Sequence, residues 1–213
     1  ILLEITKWGK NQHKTFYGKI LEVLKNQSEN DIAMQSILLD NGFELHFPQE
    51  VMDEAAAISR EITTNEVARR RDMRGTTTFT IDPETAKDFD DALSFKQLEN
   101  GNYEVGVHIA DVAHYIEEGS ALDKEALNRS TSVYLVDRVL PMLPEELSND
   151  LCSLNPNEDK YTFSAIFEMK KNGKIKSEWF GRTVIHSNRR FTYEEAQERL
   201  ESKKGDFQEE LNI

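Results

Sequence analysis

The chain has 213 residues, 38% of them hydrophobic and 31% charged, with eleven Phe, six Tyr and two Trp; this is enough to bury a core and excludes disorder along the whole length. Its 26 Lys and Arg against 39 Asp and Glu leave a net charge of −13, which excludes a histone-like or polybasic membrane-surface protein but not nucleic acid, since carboxylate-held metal supplies positive charge locally. The one cysteine, Cys152, excludes an internal disulfide and a Cys-rich zinc site; no apolar run approaches the ~20 residues of a membrane span, and with no visible signal peptide the expected compartment is the cytoplasm.

The chain begins at Ile1 in strand-like sequence and reads as a piece of something longer. Residues 1–47 carry two short strands, Ile1–Trp8 and Phe16–Leu24, separated by polar connections at Gly9–Lys14 and Lys25–Glu29; the alternation is partial but β-branched and aromatic residues are frequent. Asp31–Leu39 is compatible with helix or strand. Pro48 opens a helical pattern through Val51, Ala55 and Ile58, running over Gln49–Arg60. Thr63 or Thr64 can cap a second helix bearing Val67, Arg69, Arg70, Arg71 and Arg74. These arginines suit either phosphate contact or a solvated helix face, the simpler reading.

From residue 75 onward the strands are clearer. Thr76–Ile81 is a strand ended by Asp82-Pro83, because proline cannot donate to a ladder. Ala92–Lys96 and Tyr103–Ile109 flank the turn signal Asn100-Gly101. Ser120 starts a helix through Leu122, Ala126 and Leu127; Pro141 and Pro144 bracket a tight connection into Glu145–Leu151; Tyr161–Lys170 and Ile175–Ile185 form a hairpin about Asn172-Gly173; Thr192 with Glu195 makes a capping box for a last helix. The irregular mixture of strands and helices gives an α+β fold class.

The segment Asp82-Pro-Glu-Thr-Ala-Lys-Asp88-Phe-Asp90-Asp91 puts four aspartates within ten residues, between two strands. A strand would align Asp88 with Asp90, a helix Asp88 with Asp91; neither gathers all four, whereas a loop bent at Pro83 can. Four ionised carboxylates in one pocket repel unless a cation sits among them, and an all-oxygen set suits a hard ion, Mg²⁺ or Mn²⁺. Such a site hydrolyses phosphate esters. The bland reading is a solvated acidic turn; the flanking strands, Pro83 and Ala92 make this loop look anchored. An EF-hand fails at Ala92, Leu93 and Ser94, and no phosphate-cradling glycine motif occurs. His108 and His114 read as packed or hydrogen-bonded side chains, Cys152 as a buried thiol, and Arg182, Arg189 and Arg190 equally as phosphate contacts or solvated charges.

Thr80–Ala92 resembles the catalytic signature of the ribonuclease II / ribonuclease R family, the RNB domain. Val107-His-Ile-Ala-Asp-Val-Ala-His-Tyr115 and the block from Arg129 through Tyr134 to Pro156 resemble that family's next two segments, in the same order and spacing. The resemblance is strong from Arg69 to Arg190 and weaker at both ends, and it leans toward bacterial ribonuclease R. It implies a Mg²⁺-dependent (Mn²⁺ possible), hydrolytic, processive 3′-to-5′ exoribonuclease that releases nucleoside 5′-monophosphates from single-stranded RNA. It places the metal-site aspartates on Asp82, Asp88, Asp90 and Asp91, with Asp90 the one whose loss stops chemistry while RNA binding persists. The tyrosine set against the RNA 3′ end falls on Tyr134, and the one that selects ribose falls on Tyr193. By spacing alone the simpler reading of both tyrosines is a core aromatic whose hydroxyl finds a partner.

The resemblance also implies domains: the end of a cold-shock, OB-like domain over 1–47, a helical linker over 48–74, and the first half of an RNB catalytic domain of mixed α/β structure over 75–213. The family's catalytic arginine and further channel residues would follow Ile213. The fragment itself is therefore expected to be weakly active or inactive and to self-associate through uncovered apolar surface, the full-length parent being monomeric. The alternatives are a silent single-stranded RNA-binding module with a structural acidic loop, and a phosphoesterase of another class.

Overall fold

A computed structural model describes residues 2–7, 16–22 and 28–207, which fall into two compact units. Trp8, Val23, Leu24 and the polar connections at Gly9–Lys14 and 25–27 lie outside the described residues.

The first unit comprises residues 1–46 and 134–140. Strands β1 (Leu2–Lys7) and β2 (Tyr17–Glu22) pair antiparallel, and α1 (Glu29–Asp40) follows. Asp31–Leu39, open on its apolar pattern, is helical because its first turn is capped twice over. Ser28 Oγ accepts the Asp31 N–H at 3.1 Å, and the Asp31 carboxylate accepts the Ser28 N–H at 3.0 Å. Residues 134–140 join this unit through polar contacts with the same helix: Arg138 sits 2.7 Å from Asp31, and Asn30 donates to Asp137 at 2.7 Å.

The second unit comprises 47–133 and 141–213. Its seven-stranded sheet is built from β3 (Arg71–Asp72), β4 (Thr77–Asp82), β5 (Asp91–Gln97), β6 (Tyr103–Ala110), β9 (Asp159–Met169), β10 (Ile175–His186) and β11 (Arg189–Thr192), in the spatial order β11-β4-β5-β6-β9-β10-β3. The four central pairings, from β4 to β10, are antiparallel; β11 on β4 and β3 on β10 are parallel. The short strands β7 (Val133–Tyr134) and β8 (Val139–Leu140) make a separate ribbon. The mixed α/β character matches the expectation, and the hairpins turn where expected, Gly101 and Gly173 each adopting a φ of +77° that a β-carbon would strain.

One face of the sheet is covered by α2 (Gln49–Ala57), α5 (Ala121–Arg129) and a π-helical turn (Glu146–Leu151). Val51, Ala55, Leu122, Leu147 and Leu151 pack with Phe89, Ala92, Ile166 and Ile185 in one buried cluster that also takes in Cys152. Residues 48–74 thus do not stand apart as a linker: α2 contributes Val51 and Ala55 to this core, and its Glu54 accepts the N–H groups of Ala121 and Leu122 at the start of α5, at 2.9 and 3.1 Å. A smaller cluster joins Phe79, Phe191 and Ala196 beneath α6 (Tyr193–Ser202), whose expected Thr192–Glu195 capping box is present.

The arginine run departs from expectation. Thr63 does cap α3 (Thr64–Val67), but the helix stops before Arg69. Arg70 is buried, 2.8 Å from both Glu66 and Asp111; Arg71 pairs with Glu104 at 2.7 Å, and Arg74 with Asp72 and Asp159. Each of the three is neutralised by a carboxylate brought in by the sheet or by the preceding turn, so they form neither a solvated helix face nor a basic stripe. His108 is buried in hydrogen bonds to Ser94 (2.8 Å) and Ser164 (2.6 Å), and His114, within the short helix α4 (Val112–Tyr115), lies edge-on to Tyr161 (centroids 4.5 Å apart). Among the described residues no helix is long and apolar enough to cross a membrane.

Candidate active site

β4 ends at Asp82 because Pro83 cannot extend the ladder, and β5 begins at Asp91. The intervening loop turns at once, with the Ala86 N–H donating to the Pro83 carbonyl at 3.0 Å. Phe89 is its plug: flanked by Asp88 and Asp90, it is buried in the main core beside Ala92.

Backbone and side-chain bonds then fasten the loop. Ser153, fully buried, accepts the Phe89 N–H at 3.0 Å and donates to the Lys87 carbonyl at 3.0 Å. The Leu154 N–H donates to the Phe89 carbonyl (2.8 Å), and the Ala110 N–H to that of Asp90 (3.1 Å). On the outgoing arm, Arg190 Nη2 donates to the Pro83 and Glu84 carbonyls at 2.7 and 2.8 Å. An acidic turn free in water has no such set of partners; this loop is a built element.

The loop brings the four aspartates into one electrostatic neighbourhood. Burial pushes the Asp82 carboxyl above its ordinary range; repulsion from Asp91 and Asp88 adds to this, while the nearby Thr80 hydroxyl and the Arg190 charge pull the other way. Asp90 is raised too, by burial first and then by Asp88, Asp91 and Asp82. Solvent reaches Asp90 and Asp91, whereas Asp82 and Asp88 are half-buried. Among the described residues no three acidic, imidazole or thiol groups already converge as a closed metal cage. The donor set nonetheless fits a hard cation: Asp82 Oδ2 is buried with no hydrogen-bond partner, and the acids disfavour one another's ionisation, which a bound cation would reverse.

The two tyrosines are placed differently. Tyr193, 57% exposed, opens α6 in the second unit, directly after β11. Tyr134, 66% exposed, falls in the first unit. Two residues that hold the loop are not marked for that role by the sequence, in which Arg190 reads as a phosphate contact or a solvated charge. Ser153 carries no local signal beyond its neighbours Cys152 and Leu154. Arg190 reaches the loop only because β11 lies parallel to β4 with Arg190 opposite Thr80, a pairing over more than a hundred residues. Its neighbours differ: Arg189 pairs with Asp206 at 2.7 Å, and Arg182 is exposed, 3.5 Å from Asp111.

The sequence pattern of the RNB domain matches residues 70–211. The chain belongs to the RNB-domain family. The RNB match takes in the acidic loop, both tyrosines, Ser153 and Arg190. Ribonuclease R 1 of Lactococcus lactis is 44% identical over 195 residues, covering 91% of this chain and 24% of that protein. DIS3-like exonuclease 2 of Schizosaccharomyces pombe is 45% identical over 206 residues (96% and 22%), and ribonuclease R of Thermotoga maritima 43% over 206 residues (94% and 28%). The chain thus spans about a quarter of the length of the curated RNB relatives it matches. Among solved structures, Mycoplasma genitalium RNase R in complex with ribose-methylated single-stranded RNA superimposes with a TM-score of 0.82 at 32% identity, over 95% of this chain and 31% of that one. Yeast Ssd1, a pseudonuclease, gives 0.72 at 25% identity, over 99% and 26%.

Proposed function

We propose that this chain is the acidic-loop half of the catalytic domain of a hydrolytic 3′-to-5′ exoribonuclease acting on single-stranded RNA and releasing nucleoside 5′-monophosphates. The observation that carries the reading is the fastened loop that crowds Asp82, Asp88, Asp90 and Asp91 together within an RNB-family sheet. These four would hold Mg²⁺ or Mn²⁺. When bound, such an ion lowers the pKa of a coordinated water and neutralises charge developing on phosphoryl oxygens.

The chain's own residues do the rest. Phe89 and Ser153 keep the loop backbone immobile, so the carboxylates meet their load in a fixed arrangement. Asp90, repelled by all three other acids, is the carboxylate whose replacement by Asn removes hydrolysis and leaves RNA binding. Tyr134 and Tyr193, both exposed, present aromatic rings suited to stack on bases, and a phenol hydroxyl can hydrogen-bond to phosphate or a ribose 2′-OH. Residues 1–47 are read as the end of a cold-shock, OB-like domain.

A second reading, a silent RNA-binding module, is favoured by one observation: the likeness to Ssd1, which is a pseudonuclease. The test uses the full-length protein carrying this chain, 5′-labelled single-stranded RNA with and without Mg²⁺, an Asp90→Asn variant and a 3′-phosphate control. Mononucleotides released only with metal, and lost in the variant while RNA binding stays, support the exoribonuclease. No shortening under any metal condition establishes the silent module. Cleavage of 3′-blocked RNA or of non-RNA phosphoesters points to another phosphoesterase class.

A further inference from the structure

The acidic loop has two arms, and they are gripped from different places. The returning arm, Lys87 to Asp90, is fixed by Ser153 and Leu154 from the core side. Among the described residues, the outgoing arm, Pro83 and Glu84, has no such grip from the core. Its hydrogen bonds from outside the loop come from Arg190, whose Nη2 donates to both carbonyls at 2.7 and 2.8 Å. The same guanidinium lies over the Phe89 ring, 5.2 Å from its centroid, so one side chain touches both arms. Arg190 Nε is buried and without a hydrogen-bond partner, so the group is committed to this position by the ring face and the two carbonyls rather than by a carboxylate of its own. Its backbone is no less fixed, since β11 runs parallel to β4 with Arg190 opposite Thr80, two residues before Asp82.

We infer that Arg190 is a positioning residue for the acidic site: it clamps the outgoing arm onto Phe89 and thereby sets Asp82 against Asp88, Asp90 and Asp91 in the arrangement that receives the divalent ion. The role rests on the functional reading above and assigns Arg190 no contact with substrate. It differs from an arginine that tracks the RNA backbone, because its hydrogen bonds are spent on main-chain carbonyls of the loop. A flexible lysine ammonium can reach the same two carbonyls as a point charge, whereas an apolar side chain cannot.

The experiment compares wild type, Arg190→Lys, Arg190→Met and Asp82→Asn in the full-length protein carrying this chain. It reads Mn²⁺ affinity by electron paramagnetic resonance, trypsin cleavage after Lys87 by mass spectrometry, single-stranded RNA affinity, and kcat against KM. The expected result for Arg190→Met is a loss of roughly 10–100-fold in Mn²⁺ affinity, the range for a residue that orients ligands from behind, with faster cleavage after Lys87, lower kcat, and unchanged RNA affinity and KM. Arg190→Lys restores most of the metal affinity and protease protection. Should Arg190→Met fail to fold, as judged by near-ultraviolet circular dichroism, Arg190→Lys alone decides through an intermediate Mn²⁺ affinity. The inference is overturned if wild type binds Mn²⁺ in an Asp82-dependent way while the folded Arg190 variants bind it equally well. It is overturned as well if their RNA affinity falls and their metal affinity does not, which would make Arg190 an RNA contact. If wild type shows no Asp82-dependent Mn²⁺ binding at all, the metal-site reading itself fails, and the clamp loses its purpose with it.

Discussion

Arg70 and Asp111 face each other inside the second unit, Nη1 2.8 Å from Oδ2, both side chains withdrawn from solvent. The contact is an ion pair rather than an aligned hydrogen bond, since Asp111 Oδ2 has no hydrogen-bond donor. Arg70 spends its donors on Glu66 and on the Thr162 and Thr183 carbonyls, and lies over the Tyr161 ring at 4.4 Å. Arg70→Met therefore leaves the buried Asp111 carboxylate facing the more distant, solvent-exposed Arg182 at 3.5 Å and is expected to lower stability by about 3–5 kcal/mol, with much of the loss recovered when Asp111→Asn is added. Urea denaturation of the two single variants and the double variant measures this directly.

Ser153 is buried between the Phe89 N–H and the Lys87 carbonyl. Removing its hydroxyl leaves both groups without this partner in the core, so Ser153→Ala should destabilise by about 1–3 kcal/mol. Because the loss falls on the acidic loop, amide exchange at Phe89 should quicken more than exchange in β9 or β10. Uniform acceleration across the sheet would show that the serine supports the fold at large rather than this loop.

The His108 imidazole is driven down to about 4 from its usual 6.5, by burial first and by the Arg71 charge second. The unfolded chain takes up this proton near pH 6.5 and the folded chain only near 4, so between these values protonation favours unfolding. The stability concerned is intact above pH 6.5 and is withdrawn as the pH falls toward 4, on the order of 3 kcal/mol across the window. His108→Gln should flatten that part of the stability–pH curve while lowering it overall. Gly106 supports the arrangement: a β-carbon there would collide with the Ser94 hydroxyl and the His108 ring.

On the sheet face opposite the main core, Ile109, Phe163 and Phe180 are exposed, with Ile109 and Phe163 paired across β6 and β9. Apolar side chains presented together in water favour association. Sedimentation of the 213-residue chain at rising concentration should show mass increasing, and Phe163→Ser with Phe180→Ser should abolish it.

How much of this was legible in the sequence depends on the distance over which the partners act. The strands about Asn100-Gly101 and Asn172-Gly173, the cap at Thr192 and the acidic bend after Pro83 are local events written in neighbouring residues, and they stand nearly where the pattern puts them. The arginines depart from the pattern because, beside the local Glu66 and Asp72, each has a remote partner. Asp111, Glu104 and Asp159 reach Arg70, Arg71 and Arg74 only once the sheet is assembled. Arg190, readable in the sequence as a phosphate contact or a solvated charge, instead bonds the loop carbonyls for the same reason, since its reach depends on the parallel pairing of β11 with β4. Helix α1 shows the opposite case: its apolar spacing was ambiguous, and the decisive signal was the Ser28–Asp31 cap just ahead of it.

The segment Tyr134–Leu140 belongs with residues 1–46 although more than eighty residues of the other unit come between them. A boundary drawn near residue 47 would split that partnership. An expressed piece ending there would lack Arg138 and Asp137, leaving Asp31 and Asn30 without those contacts. An expressed piece starting there would carry the seven-residue excursion, with its β7–β8 ribbon, but without the contacts that Asp31 and Asn30 make to it. Domain dissection of this polypeptide therefore requires a discontinuous design, with the excursion either transplanted or replaced by a short turn.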